Sequence, residues 1–237
     1  MANKFIFDVD GTLTPSRQGM NGEFQGYFID FCYANDVYLV TGSDYTKTLE
    51  QVGPDVCDAV TRIYNCNGND VWEKGVNVRT NDWIIPEDAH EWLANKLTES
   101  KYLVRTGLHF EHRPGLVNFS IVGRNADKDQ RAEYVIYDEL TNERNIIAKQ
   151  FNLSFPNLQA TVGGETGIDI SPNGFDKSQI IEDFDVDDKL YFFGDRMDPA
   201  GNDYTLSLEV DIAKPVSRWQ DTFEHLQWLQ EMRVAAE

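Results

Sequence analysis

The sequence predicts an α/β protein: a mainly parallel, doubly wound sheet interrupted by a separate α+β unit. Apolar strand-like runs alternate with helix-like periodicity in the first third of the chain and again after Asn173-Gly174. Between about residues 82 and 172 the rhythm changes to strands, then helices, then strands. Three polar clusters, Asp8/Asp10, Thr41-Gly42-Ser43-Asp44 and Gly194-Asp195, each follow an apolar run, and strand carboxyl ends are where open α/β sheets place ligands.

The elements follow in order. Lys4 to Asp8 reads as a strand, and Phe24, Tyr27, Phe28 and Phe31 share one helical face. Val37 to Val40 is a second strand, with Ser43 or Asp44 capping the next helix. Arg62 to Asn65 is a third strand, and Val71 to Val76 reads as a hairpin. A helix from about Pro86 to Glu99 leads into two long strand runs, Tyr102 to Arg113 and Leu116 to Arg124, joined at Pro114-Gly115. Charged helices run from Asp127 to about Gln150, followed by strands at Leu158–Val162 and Gly167–Ser171. A helix near Lys177 to Phe184, a strand at Leu190–Phe193 and a helix from Thr222 close the chain. The predicted organisation is a core of residues 1–81 and 173–237, with an insert of residues 82–172 acting as a cap on the site.

The chain has 237 residues, 41% of them hydrophobic, which is enough for one large or two small cores. A net charge of -19 argues against nucleic acid or an anionic membrane as partner, so an anionic substrate needs local arginines or a metal. Three cysteines without metal-type spacing fit a reducing, cytoplasmic setting. Neither a signal peptide nor a membrane-spanning run is expected.

Phe7-Asp8-Val9-Asp10-Gly11-Thr12 carries the chemistry. On an extended segment Asp8 and Asp10 point the same way, and Gly11 lets the backbone turn. One carboxylate suits a nucleophile and the other an acid/base; the plain alternative is a strand stopped by a turn. With Asp195 and Asp203 in the same pocket, a hard cation such as Mg2+ is implied. Thr41 and Ser43 are either caps or phosphate-binding hydroxyls, and Lys177 is either a surface lysine or a charge beside phosphate oxygens. Four of the eleven arginines, Arg105, Arg113, Arg124 and Arg131, fall between residues 105 and 131 of the insert. In so acidic a chain this concentration fits bidentate oxyanion binding better than a solvated face, with Arg113 and Arg124 on paired runs that converge. The tryptophans read as packing, and the histidines lack metal-ligand spacing.

These blocks, with Gly194-Asp195 leading to Asn202-Asp203, resemble the haloacid dehalogenase superfamily. Asp10-Gly11-Thr12-Leu13-Thr14-Pro15-Ser16-Arg17 is similar more narrowly to the eukaryotic-type phosphomannomutases. So are Phe110-Glu111-His112-Arg113 through Ile121-Val122-Gly123-Arg124, Gly174-Phe175-Asp176-Lys177 and Phe192 to Asp203. The resemblance implies a Rossmann-like core with a C2-type cap, often a homodimer through the caps, serving mannose metabolism and GDP-mannose biosynthesis. It implies Asp8 as nucleophile and Asp10 as general acid/base. Mg2+ would be held by Asp8, the Asp10 carbonyl and Asp195, with Asn202 or Asp203 behind them. Lys177, Thr41 and Ser43 would cradle the transferring phosphoryl group. Arg17, Arg113, Arg124 and Arg131 would grip the other phosphate and the sugar, with Asp169 on sugar hydroxyls. The implied reaction interconverts mannose 6-phosphate and mannose 1-phosphate through a bisphosphate, with a hexose 1,6-bisphosphate as activator. Two departures, Thr41 for a glycine and Gly167 for a serine, keep a Mg2+-dependent sugar-phosphate phosphatase as the alternative; intact Asp8, Asp10, Lys177 and Asp195 argue against a purely binding protein.

Overall fold

A computed structural model describes residues 2–199 and 201–234. In chain order the core begins β1 (Asn3–Phe7), α1 (Gly22–Ala34), β2 (Asp36–Val40), α2 (Tyr45–Val52), α3 (Pro54–Ala59), β3 (Arg62–Asn65), β4 (Asp70–Glu73) and β5 (Val76–Thr80). The insert contributes α4 (Glu87–Glu99), β6 (Phe110–Arg113), β7 (Leu116–Phe119), α5 (Lys128–Thr141), α6 (Glu143–Ser154), β8 (Leu158–Gly163) and β9 (Gly167–Pro172). The core resumes with a 3-10 helix (Lys177–Asp183), β10 (Lys189–Gly194), α7 (Tyr204–Glu209), β11 (Ile212–Pro215) and α8 (Trp219–Val234). The compact units are residues 1–80 with 174–237, and residues 81–173.

The core sheet has the order β11-β10-β1-β2-β3-β4-β5. β11 through β3 run parallel, and β4 and β5 add an antiparallel hairpin. The strand alternation of β1 divides the apolar side chains. Phe5 and Phe7 pack with Phe24, Phe28 and Phe31 of α1, whereas Ile6 joins Tyr38, Tyr64, Phe192 and Leu206 on the opposite face. Phe7 stacks on Phe193 of β10 with centroids 4.8 Å apart. Strand order reverses at β1, which has β2 on one side and β10 on the other.

The insert is a four-stranded sheet ordered β6-β7-β9-β8, antiparallel throughout. Val117, Phe119, Ile168 and Ile170 cluster with Leu93, Tyr134 and Phe151 from the helices. Glu111, Asn118, Asp169 and Thr161 lie side by side across the four strands.

The two long strand runs expected in the insert are mostly loop. Positive φ at Gly107 (85°), Leu108 (46°) and Gly123 (90°) confines them to Phe110–Arg113 and Leu116–Phe119. Arg105, grouped by sequence with oxyanion-binding arginines, instead donates to the carbonyls of Leu97, Tyr102 and Val104, tying the end of α4 to the next loop. The segment from Lys177 is a 3-10 helix, and the last helix starts at Trp219 rather than Thr222. Among the described residues no helix is long and apolar enough to cross a membrane.

Candidate active site

Asp8 follows β1 directly, and its backbone N–H donates to Phe193 O across to β10 at 2.9 Å. Its carboxylate is 4% exposed. Lys177 Nζ donates to Asp8 Oδ1 at 2.5 Å and to Asp203 Oδ1 at 2.7 Å. Lys177 and Asp203 are fully buried. Lys177 opens the 3-10 helix, whose first turn is fixed by Asp176 accepting from the Ser178 N–H. Asp203 is held further by the Arg196 N–H at 3.0 Å. Asp195, at the end of β10, completes the group: oxygens of Asp8, Asp195 and Asp203 lie within 4.8 Å of one another.

Gly11 is required by this geometry. Its φ of 82° is left-handed, and a Cβ there would sit 2.3 Å from Asp195 Oδ2.

Three carboxylates share one ammonium, which leaves buried negative charge uncompensated. Burial pushes the Asp8 carboxyl up to about 7, with Asp203 and Asp195 adding to the effect against the pull of Lys177. Burial, and then Asp203, raises Asp195 as well. Burial works to lower Lys177, but Asp8 and Asp203 outweigh it and hold the ammonium above its ordinary value. Hard oxygen donors with excess negative charge fit a divalent cation such as Mg2+. Asp203 stands inside the carboxylate group rather than behind it, whereas Asn202 is exposed.

Asp10, expected beside Asp8, makes its own set of contacts. It lies beyond the strand, in a turn bridged to Thr14. Its Oδ1 accepts from the Arg17 N–H at 2.6 Å and from Gln51 Nε2 at 2.9 Å. Its side chain is therefore outside the carboxylate group of Asp8, Asp195 and Asp203. Arg17 contributes its backbone, in a left-handed conformation (φ 59°), and its side chain is exposed.

Gln51 is a site residue that sequence reasoning missed. It is 5% exposed on α2 and contacts both Asp10 and Thr14 Oγ1, while its Oε1 is buried without a partner. A glutamine sharing a helical face with Thr48 and Val52, where apolar residues are expected, was the available signal.

Thr41 and Ser43 lie just after β2, the strand beside β1. Thr41 is buried and its Oγ1 accepts from the Ser43 N–H at 3.1 Å. Asp44 is the cap of α2, accepting from the Lys47 N–H, which leaves Ser43 outside the capping role.

The insert has its own polar cluster. Arg113 Nη2 and Arg124 Nε both bind Glu111 Oε2, at 2.7 and 2.8 Å, so these arginines do converge, on a carboxylate. Arg131 is not with them; its Nε bonds Glu165 at 3.1 Å. Asp169 Oδ1 accepts from Asn118 Nδ2 at 2.6 Å. A Cβ at Gly167 would lie 2.4 Å from Asn118 Nδ2, so the asparagine amide fills the space that a serine would need.

The model of the eukaryotic phosphomannomutase family matches residues 28–232. A phosphomannomutase of Saccharomyces cerevisiae is 32% identical over 232 residues, covering 93% of this chain and 91% of the relative. A phosphomannomutase of Spinacia oleracea is 29% identical, covering 92% of each chain. Among solved structures, an IMP-bound, N-terminally truncated Plasmodium falciparum IMP-nucleotidase superposes with a TM-score of 0.64 at 15% identity, over 97% of this chain and 68% of that one. A haloacid dehalogenase-like hydrolase from Bacteroides thetaiotaomicron gives 0.58 at 11% identity, over 89% and 86%. These structures establish a haloacid dehalogenase fold, a Rossmann-like core with a cap unit. With the family match spanning most of the sequence, the chain belongs to the eukaryotic phosphomannomutase family.

Proposed function

We propose that this chain is a phosphomannomutase that interconverts mannose 6-phosphate and mannose 1-phosphate through an aspartyl-phosphate and a hexose bisphosphate. The carrying observation is the buried Asp8–Lys177–Asp203 group with Asp195 beside it, at the strand ends of a chain in this family. Binding alone needs no nucleophile in such a place.

Asp8 attacks one phosphorus of the hexose bisphosphate, and the bond from that phosphorus to the sugar oxygen breaks, leaving the hexose monophosphate. Asp10 gives its proton to that departing oxygen. When the free hydroxyl of a hexose monophosphate attacks the phosphoaspartate, the bond from phosphorus to Asp8 breaks, the bisphosphate forms and Asp10 takes the proton back. Gln51 and the Arg17 N–H, both on Oδ1, fix the Asp10 carboxylate for these transfers. Lys177 holds Asp8 in place and offsets its charge. Mg2+ would be held by Asp8, Asp195, Asp203 and the Asp10 carbonyl, and would supply neutralisation of the phosphoryl oxygens. Thr41 and Ser43 serve the transferring phosphoryl group. Arg113 and Arg124, with Arg17 and Arg131, serve the second phosphate and the sugar, and Asp169 the sugar hydroxyls. A hexose 1,6-bisphosphate primes Asp8. A cytoplasmic homodimer joined through the inserts, supplying GDP-mannose synthesis, completes this reading.

The test supplies purified protein with Mg2+ and mannose 1-phosphate, with and without a hexose 1,6-bisphosphate. Mannose 6-phosphate is the expected product. Free phosphate alone would instead establish the phosphatase reading, which Thr41 and Gly167 leave open. Asp8→Ala is expected to abolish phosphoryl transfer with the fold retained.

A further inference from the structure

Glu111 and Arg113 are two positions apart on β6, so the strand period puts them on one face. Arg124 reaches the same carboxylate from the loop after β7, where its N–H donates to Leu108 O at 3.0 Å. One oxygen, Oε2, takes both guanidiniums. Among the described residues Arg124 commits only Nε to it and Arg113 only Nη2, which leaves most of the N–H donors of both forks uncommitted. Two guanidiniums on one oxygen repel each other, and without a shared anion they separate. Glu111 also faces Asn118 across the β6–β7 pair, and Asn118 donates to Asp169. The carboxylate thus ends a polar row on one face of the sheet.

We infer that Glu111 is a positioning residue. Its single shared oxygen pins Arg113 and Arg124 side by side with their open donors preset for the oxygens of one phosphate group. This rests on the reading that these arginines take the non-transferring phosphate. The opposite role is a carboxylate that blocks the arginines and must be displaced. The two differ in sign, because removing a blocker tightens phosphate binding and removing a positioner weakens it.

The experiment measures mannose 1-phosphate binding by calorimetry on the full chain with Mg2+, in an Asp8→Asn background that prevents turnover. Arg113→Ala and Arg124→Ala are expected to weaken binding at least about tenfold. If neither does, the phosphate-site reading itself fails. With both effects present, Glu111→Ala is expected to weaken binding about five- to tenfold. Unchanged or tighter binding overturns the positioning role while leaving the arginine site intact. Added to Arg113→Ala/Arg124→Ala, Glu111→Ala is expected to cost nothing more. A further loss of the same size would place its effect outside the arginines and also overturn the inference. Glu111→Gln, which keeps a neutral acceptor, guards against a folding defect. It is expected to bind about threefold more weakly, and tighter binding counts against the inference in the same way.

Discussion

Gln51 donates its side-chain amide to Asp10 Oδ1 at 2.9 Å from a buried position on α2. The contact spans 41 residues of sequence and joins the helix after β2 to the turn after β1. Gln51→Leu removes the donor and leaves Asp10 tethered by the Arg17 N–H alone. The expected result is a fall in kcat of about tenfold with KM nearly unchanged, since a misaimed acid/base slows proton transfer without touching substrate affinity. Equal losses in both constants would show that Gln51 contacts substrate instead.

Asp8 makes a pH-dependent contribution to the stability of the metal-free protein. Its folded-state value of about 7 lies above the ordinary 3.8, because burial disfavours the charged form. Between those values the folded chain keeps a proton that the unfolded chain has released, so stability falls as pH rises through the window. Asp8→Asn removes the titration. In EDTA the variant is expected to melt higher than the parent at pH 8, by about 2–4 °C per kcal/mol gained, and to converge with it near pH 4. Added Mg2+ is expected to raise the melting temperature of the parent far more than that of the variant. Thermal unfolding across pH with and without metal tests both.

Asp183 behaves in the reverse sense. Burial works to raise it, but hydrogen bonds from Arg79, at 2.9 and 2.8 Å, hold it below its ordinary value, with Arg62 at 3.1 Å assisting. The stability it contributes is present above pH 4 and is lost as pH falls through the lowered folded value. Asp183→Asn is expected to cost about 1 kcal/mol at neutral pH and less at pH 3. Denaturant titrations at pH 7 and pH 3 measure the difference.

Restoring a serine at Gly167 tests the asparagine that now fills the space. With Asn118 Nδ2 only 2.4 Å from the new Cβ, Gly167→Ser forces Asn118 away from Asp169. The expected cost is about 1–3 kcal/mol of stability in the insert. Asn118→Ala in the same chain is expected to recover part of it, and additive losses would contradict the clash.

Much of the core was readable because its signals are local. Phe5-Ile6-Phe7 alternates across a sheet, the run from Val37 is a short continuous apolar segment as a strand buried on both faces is, and Asp44 is a capping residue. The family blocks led to Asp8, Lys177 and Asp195, which do meet in space. What escaped depends on distant contacts or on backbone conformation. Tyr102 to Leu108 contains good strand formers, yet the left-handed turn at Gly107 and Leu108 and the Arg105 tie to α4 remove it from the sheet. Spacing pairs Asp10 with Asp8, but it could not show that Gln51 and the Arg17 N–H bind the Asp10 carboxylate. The short helices α3 and α7 and the edge strand β11 offer too few residues for periodicity to show. The Glu111 link was available in principle, as a glutamate two positions before an arginine on a strand, but the partner Arg124 comes from a loop that read as strand.

β1 is an interior strand whose neighbour β10 is made almost two hundred residues later. During synthesis, Phe5, Ile6 and Phe7 therefore wait with one edge unpaired while the entire insert leaves the ribosome. Lys177, 169 positions from Asp8, belongs to that same late segment. Asp8 thus acquires its partner only at the step that closes the sheet, so an incomplete chain carries Asp8 without the lysine that holds it.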